Sequence, residues 1–258
     1  DEDPLLDCKW EKSEREIIIS ITGQMQMEII SSLLKQRYNL SASFSEPSVI
    51  YKETPRSSGF GHEHYTMPKP CWAIVRLNFE PLARGSGVVY DGGKVPNNTC
   101  FYSYQEHIRR SFFANIAQGP LGWEVTDFKA TLEYAEHHTI HTHPLDFFVA
   151  TPMAIMNGLT NIGTTLLEPF LKVRISASAE YLGKIIGDIT MMRGEFDTPV
   201  MIGDSFTVEA FLPVATSLDY PVRLATLTHG KGLFFSSFDG YRECPLELGK
   251  TAKRRGPN

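Results

Sequence analysis

The sequence predicts an α+β chain of more than one domain, on three observations. Stretches with strand-like alternation are interleaved with stretches of helical period along the whole chain. The last third carries six elements in the order β-α-β-β-α-β, and the first fifty residues read β-β-α-β. The length of 258 residues allows one large domain or two to three small ones. Hydrophobic residues at 42% and charged residues at 21% are a globular rather than a disordered composition. No apolar run is long enough to span a bilayer, and the acidic opening DEDPLLDCKW has no apolar signal-peptide core. A net charge of -5 excludes attachment to nucleic acid by bulk positive charge, though not a local contact. Cys8, Cys71, Cys100 and Cys244 stand far apart with no CxxC pair, which predicts reduced thiols in a cytoplasmic protein.

Taken in order, Leu5 to Trp10 and Ile17 to Ile21 flank a charged turn and predict a hairpin; three consecutive isoleucines favour strand. From Gln24 to Tyr38 the apolar residues fall near a 3.6 period, a helix with Met27, Ile30 and Leu34 as its core stripe. Strands are expected at Leu40–Phe44 and Ser48–Lys52, with Pro47 at an edge or bend. Residues 55–70, rich in proline and glycine, read as a connector in which His62-Glu63-His64 is solvated. Cys71 to Phe79 alternates as a strand, Arg84 to Gly87 is a turn, Val88 to Tyr90 a strand, and Asp91 to Asn98 a loop. Tyr102 to Gln118 predicts a helix stopped by Gly119-Pro120, with Ile108, Phe112, Phe113 and Ile116 on its inner side. Val125 to Tyr134 predicts one strand, Glu136 to Pro144 a histidine-rich loop, and Phe147 to Ile162 a helix ended by Gly163.

The last unit starts at Leu167-Glu168-Pro169. Strand Phe170–Ile175, helix Ala179–Met192, strands Thr198–Ile202 and Phe206–Pro213, helix Leu218–Thr228 and strand Gly232–Tyr241 complete a split β-α-β, or ferredoxin-like, order. Beyond Pro245 the basic tail with Lys250, Lys253, Arg254 and Arg255 has no apolar period and is expected to fray.

Few residues suggest reaction chemistry. Gly249-Lys250-Thr251 resembles the end of a phosphate loop, but Cys244 stands where the first glycine must be. No G-x-S-x-G or H-E-x-x-H occurs, and nothing resembles a nucleophile held by a base. The densest local feature is His137-His138-Thr139-Ile140-His141-Thr142-His143. Four imidazoles in this run (His137, His138, His141 and His143) are candidate metal ligands for a metal-dependent enzyme; the alternative is an exposed loop. Nucleic-acid contact has better support. The histidine loop, the Asp91–Asn98 loop and the Met67–Pro70 loop all flank the strands of one unit. Clustered at one end, they offer backbone amides, Lys69, Lys94 and flat rings for stacking on unpaired bases.

Ile18-Ile19-Ser20-Ile21-Thr22-Gly23-Gln24-Met25-Gln26-Met27-Glu28-Ile29-Ile30 resembles the third domain of elongation factor G and its relatives, and Glu46 to Pro55 is similar to that domain's exit. Gly119-Pro120-Leu121-Gly122-Trp123-Glu124-Val125-Thr126-Asp127 and Leu167-Glu168-Pro169 resemble the fourth domain and its join to the fifth. Within that superfamily, Glu80-Pro81-Leu82 with Gly85-Ser86-Gly87, and Gly122-Trp123 before Val125-Thr126-Asp127, look more like the tetracycline-resistance ribosomal protection proteins than the housekeeping factor.

The resemblance implies residues 1–55 as a partial third domain, ferredoxin-like and truncated at its start, and 56–166 as a fourth domain. It implies 167–246 as a ferredoxin-like fifth domain and 247–258 as a basic tail. The central domain would contain a left-handed β-α-β crossover, against the usual hand. Tip loops of that domain would meet ribosomal RNA at the small-subunit decoding centre. Here they are Pro68, Lys69 and Pro70; Gly93, Lys94, Val95, Pro96 and Asn97; and His137, His138, Thr139, Ile140, His141, Thr142 and His143. The fifth domain would face the large subunit's GTPase-associated region. GTP and Mg would belong to an upstream domain, no cofactor or activity to this part, and the protein would be monomeric and cytoplasmic. Protection proteins carry Tyr, Tyr and a base-packing Pro in the third tip loop where this chain has His137, His138 and Ile140. The remaining alternative is an elongation factor G-like translocation or stress factor without a drug role.

Overall fold

The structure, a computed structural model, describes residues 8–11, 15–21, 24–66 and 71–252. Pro68, Lys69, Pro70, Lys253, Arg254 and Arg255 lie outside them. The chain divides into two compact units: the residues up to Val49 with Phe170–Asp239, and Ile50–Pro169 with the residues from Gly240 onward.

The expected hairpin is present as β1 (Lys9–Glu11) and β2 (Glu16–Ile18), antiparallel with Trp10 opposite Ile17. Helix α1 (Gln24–Tyr38) keeps the predicted limits. Met27, Ile30 and Leu34 form its half-buried stripe, while Ile29 and Leu33 are exposed. Lys35 and Arg37 in the last turn suit the negative end of the helix dipole. Asn39, at φ 53°, ends it: Leu40 N–H returns to the Leu34 carbonyl. The strands expected at Leu40–Phe44 and Ser48–Lys52 do not form; only Lys52 is extended in a sheet. Alternation alone does not make a strand. Its N–H and C=O groups need a neighbouring backbone, and none of the described strands pairs with residues 40–51.

The second unit begins with β3 (Lys52–Pro55) and β4 (Gly59–Thr66), followed by β5 (Trp72–Pro81) and β6 (Val88–Asp91). Then come α2 (Tyr102–Asn115), β7 (Glu124–Val125), β8 (Phe128–His137), α3 (Pro144–Ile162) and β9 (Thr164–Ser178). Four strands make one sheet in the order β4-β5-β8-β6, with β6 parallel to β8 and the other pairs antiparallel. Its core is Val75, Leu77 and Phe79 from β5 and Phe128 and Leu132 from β8, packed against Ile108 and Phe112 of α2 and Phe147, Ile155 and Leu159 of α3. Separately, β3 pairs parallel with β7 and antiparallel with the start of β9.

Three expectations are corrected in this unit. The supposed connector at 55–70 contains a full strand, β4, paired from Gly59–Phe79 to Thr66–Trp72. Its glycines are packing residues: a Cβ on Gly61 would overlap the Ala154 carbonyl oxygen of α3, and one on Gly158 would come within 2.7 Å of Gly61 Cα. Helix and strand touch backbone to backbone. Gly61→Ala is therefore expected to cost about 3 kcal/mol of stability by overpacking, read from the shift of a urea-unfolding midpoint. His62 and His64 are exposed, as expected, but on this strand, ring edge to ring face at 4.4 Å. Helix α2 stops at Asn115, before Gln118, and Phe113 is exposed rather than inward. The single strand expected over Val125–Tyr134 is two, broken at Asp127 with φ 57°; its carboxylate accepts Gly87 N–H and its carbonyl accepts Leu82 N–H.

Beneath the turn that follows α2 lies a buried carboxylate. Glu53 of β3 accepts the Leu121 and Trp123 backbone N–H groups at 3.1 Å and the Thr164 hydroxyl at 2.6 Å. Burial raises its pKa above the usual carboxylate value, against the opposing pull of those donors.

In the first unit β9 leads through a short 3-10 turn, Ala179–Tyr181, into α4 (Leu182–Met191). The chain continues through β10 (Glu195–Phe196), β11 (Val200–Ile202), β12 (Ser205–Pro213), α5 (Val214–Ser217), α6 (Tyr220–Leu227) and β13 (Leu233–Glu243). β12 pairs β9 in antiparallel register from Ser205–Ser178 to Pro213–Phe170; β13 takes β9's other edge, and β10 and β11 pair β12. This is the predicted split β-α-β arrangement. Ile185 and Ile189 of α4 and Tyr220 and Leu224 of α6 close over Val173, Ile175, Phe206, Val208 and Leu212. The helix expected at Leu218–Thr228 is α6, preceded by the one-turn α5, which was not expected, and the two-residue β10 is too brief to show a period.

The tail is not frayed where it is described. Cys244 N–H donates to the Leu166 carbonyl, Ala252 N–H to the Leu121 carbonyl, and the Trp123 indole to the Lys250 carbonyl at 2.6 Å. None of the four cysteines is in a disulfide; Cys8 is exposed and the others are buried. No helix among the described residues is long and apolar enough to cross a membrane.

Candidate functional site

The four-stranded sheet brings two of the three predicted loops to one end. β8 ends at His137, directly before the histidine loop, and β5 begins at Trp72 on the neighbouring strand. The chain from Asp91 runs to the same end, where Thr99 O accepts His137 N–H at 3.0 Å and lies 2.8 Å from His137 Nδ1. Phe101 packs its ring 4.0 Å from that of His137, and Tyr104 packs 5.6 Å from it. Pro68, Lys69 and Pro70 fall outside the described residues; the strands on either side of them close on Thr66 opposite Trp72, at this same end.

The Asp91–Asn98 loop is set by its own polar groups. Asp91 accepts Gly93 N–H at 3.0 Å and pairs with Lys129 at 2.9 Å; that ammonium, first, and that N–H hold its carboxyl below the usual range. Gly93 has φ 65°, and a Cβ there would overlap the Leu132 carbonyl oxygen, so only glycine fits. Gly93, Lys94, Pro96 and Asn97 are exposed. Val95 is buried in the core, and Asn97 Oδ1 is occupied by Tyr102 N–H at 2.8 Å at the start of α2. These two residues shape the loop; its other exposed positions are Gly92, Gly93, Lys94, Pro96 and Asn98.

The histidine loop is a tight projection. His138 N–H donates to Thr142 Oγ1 at 2.7 Å, and Thr142 N–H to the His138 carbonyl at 3.1 Å. His138 Nδ1 accepts the N–H groups of Ile140 at 3.2 Å and His141 at 3.3 Å, and its ring stacks on His141 at 4.6 Å. Its other neighbour is the Trp72 ring at 5.5 Å. The loop then enters α3 through Asp146, which accepts His143 N–H at 2.8 Å and Trp72 N–H at 3.2 Å. The Trp72 indole donates to Glu136, which also accepts the Tyr134 hydroxyl. That bond to Glu136 is the first cause raising the Tyr134 pKa.

The outcome is an apolar residue on a hydrogen-bonded stalk: Ile140 is 77% exposed, with Thr139, His141 and His143 exposed around it and His137, His138 and Thr142 half-buried below. The four imidazoles do not converge. His137 turns to Thr99, His138 and His141 stack on each other, and His143 Nδ1 lies 3.7 Å from Asp146. Among the described residues no three His, Cys, Asp or Glu side chains group as metal ligands. What the loop offers to solvent is an apolar side chain and flat imidazole rings on a backbone held by internal hydrogen bonds.

Trp72, Phe101 and Asp146 hold the loop, yet none of them stands out in the sequence as part of it. Asp146 left a readable signal, an acidic residue three positions after His143 at a helix start. Trp72 left none, because its partners lie seventy residues away.

Two family comparisons match this architecture. Residues 47–161 match the family described as Elongation factor G, domain IV, and residues 165–252 match Elongation factor G C-terminus. Similar proteins include the tetracycline resistance protein TetP of Clostridium perfringens, 37% identical over 98% of this chain and 39% of its own length. TetW of Butyrivibrio fibrisolvens is 33% identical over 94% of this chain and 38% of its own. TetO of Campylobacter coli is 32% identical over the same shares. A crystal structure of a Thermus thermophilus protein superposes with a TM-score of 0.72 at 26% identity, covering 96% of this chain and 37% of that one. The chain thus spans about two fifths of the length of the curated relatives it matches. Residues 47–161 are thus similar to elongation factor G domain IV and residues 165–252 to the elongation factor G C-terminus, and the chain as a whole is similar to the tetracycline resistance proteins.

Proposed function

We propose that this chain is the ribosome-binding part of a translational GTPase of the tetracycline-resistance kind, which dislodges the drug from the small ribosomal subunit. The observation that carries the reading is the exposed Ile140 on its braced loop, within a segment that matches elongation factor G domain IV. In this reading the tip loops enter the decoding centre and Ile140 packs on an exposed ribosomal RNA base, with His141, His143 and Lys94 beside it. The tip would comprise Pro68, Lys69 and Pro70, the Gly93–Asn97 loop and the His137–His143 loop. The C-terminal module would face the large subunit near its GTPase-associated region. GTP and Mg would act in a domain outside this chain, in the cytoplasm, with hydrolysis supplying release. The chain itself performs no chemistry in this account.

A chimera tests the proposal. This chain replaces the segment of TetP that it matches, and release of radiolabelled tetracycline from ribosomes is measured with GTP. Release by the chimera, lost in its Ile140→Asp version, is the expected result. Tight ribosome binding without any release would contradict the drug role and leave a translocation or stress factor.

A further inference from the structure

We propose that Thr142 is a positioning residue that sets where Ile140 is presented; the proposal rests on the tip reading above. One hydroxyl does two jobs there. Thr142 Oγ1 donates to the Trp72 carbonyl at 2.6 Å and accepts His138 N–H at 2.7 Å, using its one donor and one of its two acceptor sites. With Thr142 N–H on the His138 carbonyl, residues 138 and 142 are cross-tied twice, and Thr139, Ile140 and His141 project between them. Trp72 is taken up on both backbone groups: its carbonyl by Thr142, its N–H by Asp146. Because β5 is an inner strand of the sheet, bonded on both edges, the threonine hydroxyl ties the loop's stem to a rigid part of the fold. His138 completes the projection from inside through its Nδ1. Thr142 itself is half-buried and sits below the exposed tip, so its effect on a partner passes through Ile140.

Valine has nearly the shape of threonine but leaves the Trp72 carbonyl and the His138 N–H without this partner. Serine keeps the hydroxyl. The 258-residue chain is titrated with purified ribosomes as wild type, Thr142→Val, Thr142→Ser, Ile140→Ala and the Ile140→Ala/Thr142→Val double variant, with thermal unfolding recorded for each. Expected are a loss of affinity of about fivefold for Thr142→Val, recovery to within about twofold for Thr142→Ser, and no added loss from valine once Ile140 is alanine. The amides of Ile140 and His141 should also exchange faster with solvent in Thr142→Val. Should valine prevent folding, Thr142→Ala serves in its place. Binding by Thr142→Val equal to wild type while Ile140→Ala binds weakly overturns the positioning role and leaves the tip reading intact. An equal loss with and without Ile140 also overturns it, because the hydroxyl would then act elsewhere. Undiminished binding by Ile140→Ala overturns the tip reading itself.

Discussion

Ile140→Asp is expected to weaken ribosome binding by about thirtyfold, with the thermal midpoint unchanged. A side chain packed on an RNA base contributes about 1–3 kcal/mol, and a carboxylate there adds repulsion from the phosphates. The loss should steepen at low salt, where phosphate repulsion is least screened. Stability should stay within about 0.5 kcal/mol, because the side chain is 77% exposed and the loop's bonds from backbone N–H groups to the Thr142 hydroxyl and His138 ring do not involve it. Titration of ribosomes at two salt concentrations, beside thermal unfolding of the free chain, checks both halves. An aspartate variant that binds as well as wild type at both would remove Ile140 from the interface.

The second large effect concerns stability. Glu53→Ala should cost about 3 kcal/mol, since it strands the Leu121 and Trp123 N–H groups and the Thr164 hydroxyl in the interior and opens a cavity. The turn beneath Trp123, which also receives the tail through the Lys250 carbonyl, should loosen with it. pH gives a second handle. The folded pKa of Glu53 is raised, so the folded state takes up a proton more readily than the unfolded one. The stabilisation linked to that proton is fully present below the unfolded value and is lost as pH rises through the folded one. The wild type's advantage over Glu53→Ala should therefore widen as pH is lowered from neutrality toward about 5, as read from urea midpoints. A gap that narrows over that window would mean that the donors, not burial, govern this carboxyl.

Local signals were legible in the sequence and long-range ones were not. Helix α1 could be placed to the residue because period, basic last turn and Asn39 all lie within sixteen positions. The split β-α-β unit was readable for the same reason: each of its cores is an alternating or periodic run. By contrast Gly61 looked like a loop glycine, and only the approach of Ala154 and Gly158 shows that it is the place where strand and helix backbones meet. Leu40–Phe44 alternated convincingly, yet strand formation depends on a partner that a local window does not contain. At the tip, the histidines and Ile140 announced a special loop. Whether those rings converge on a metal or stack was decided by Thr99, Trp72 and Asp146, whose contacts span 38, 70 and 74 positions of sequence.

The most direct test of the tip's destination is hydroxyl-radical probing from position 140. A tethered iron chelate is attached through Ile140→Cys in a Cys8→Ser background, because Cys8 is exposed while Cys71, Cys100 and Cys244 are buried. The chain is bound to ribosomes and the ribosomal RNA cleavage sites are mapped. Cuts are expected only in small-subunit RNA around the decoding centre, suppressed by excess unlabelled chain. Cuts restricted to large-subunit RNA, or none from a chain that is demonstrably bound, would contradict it.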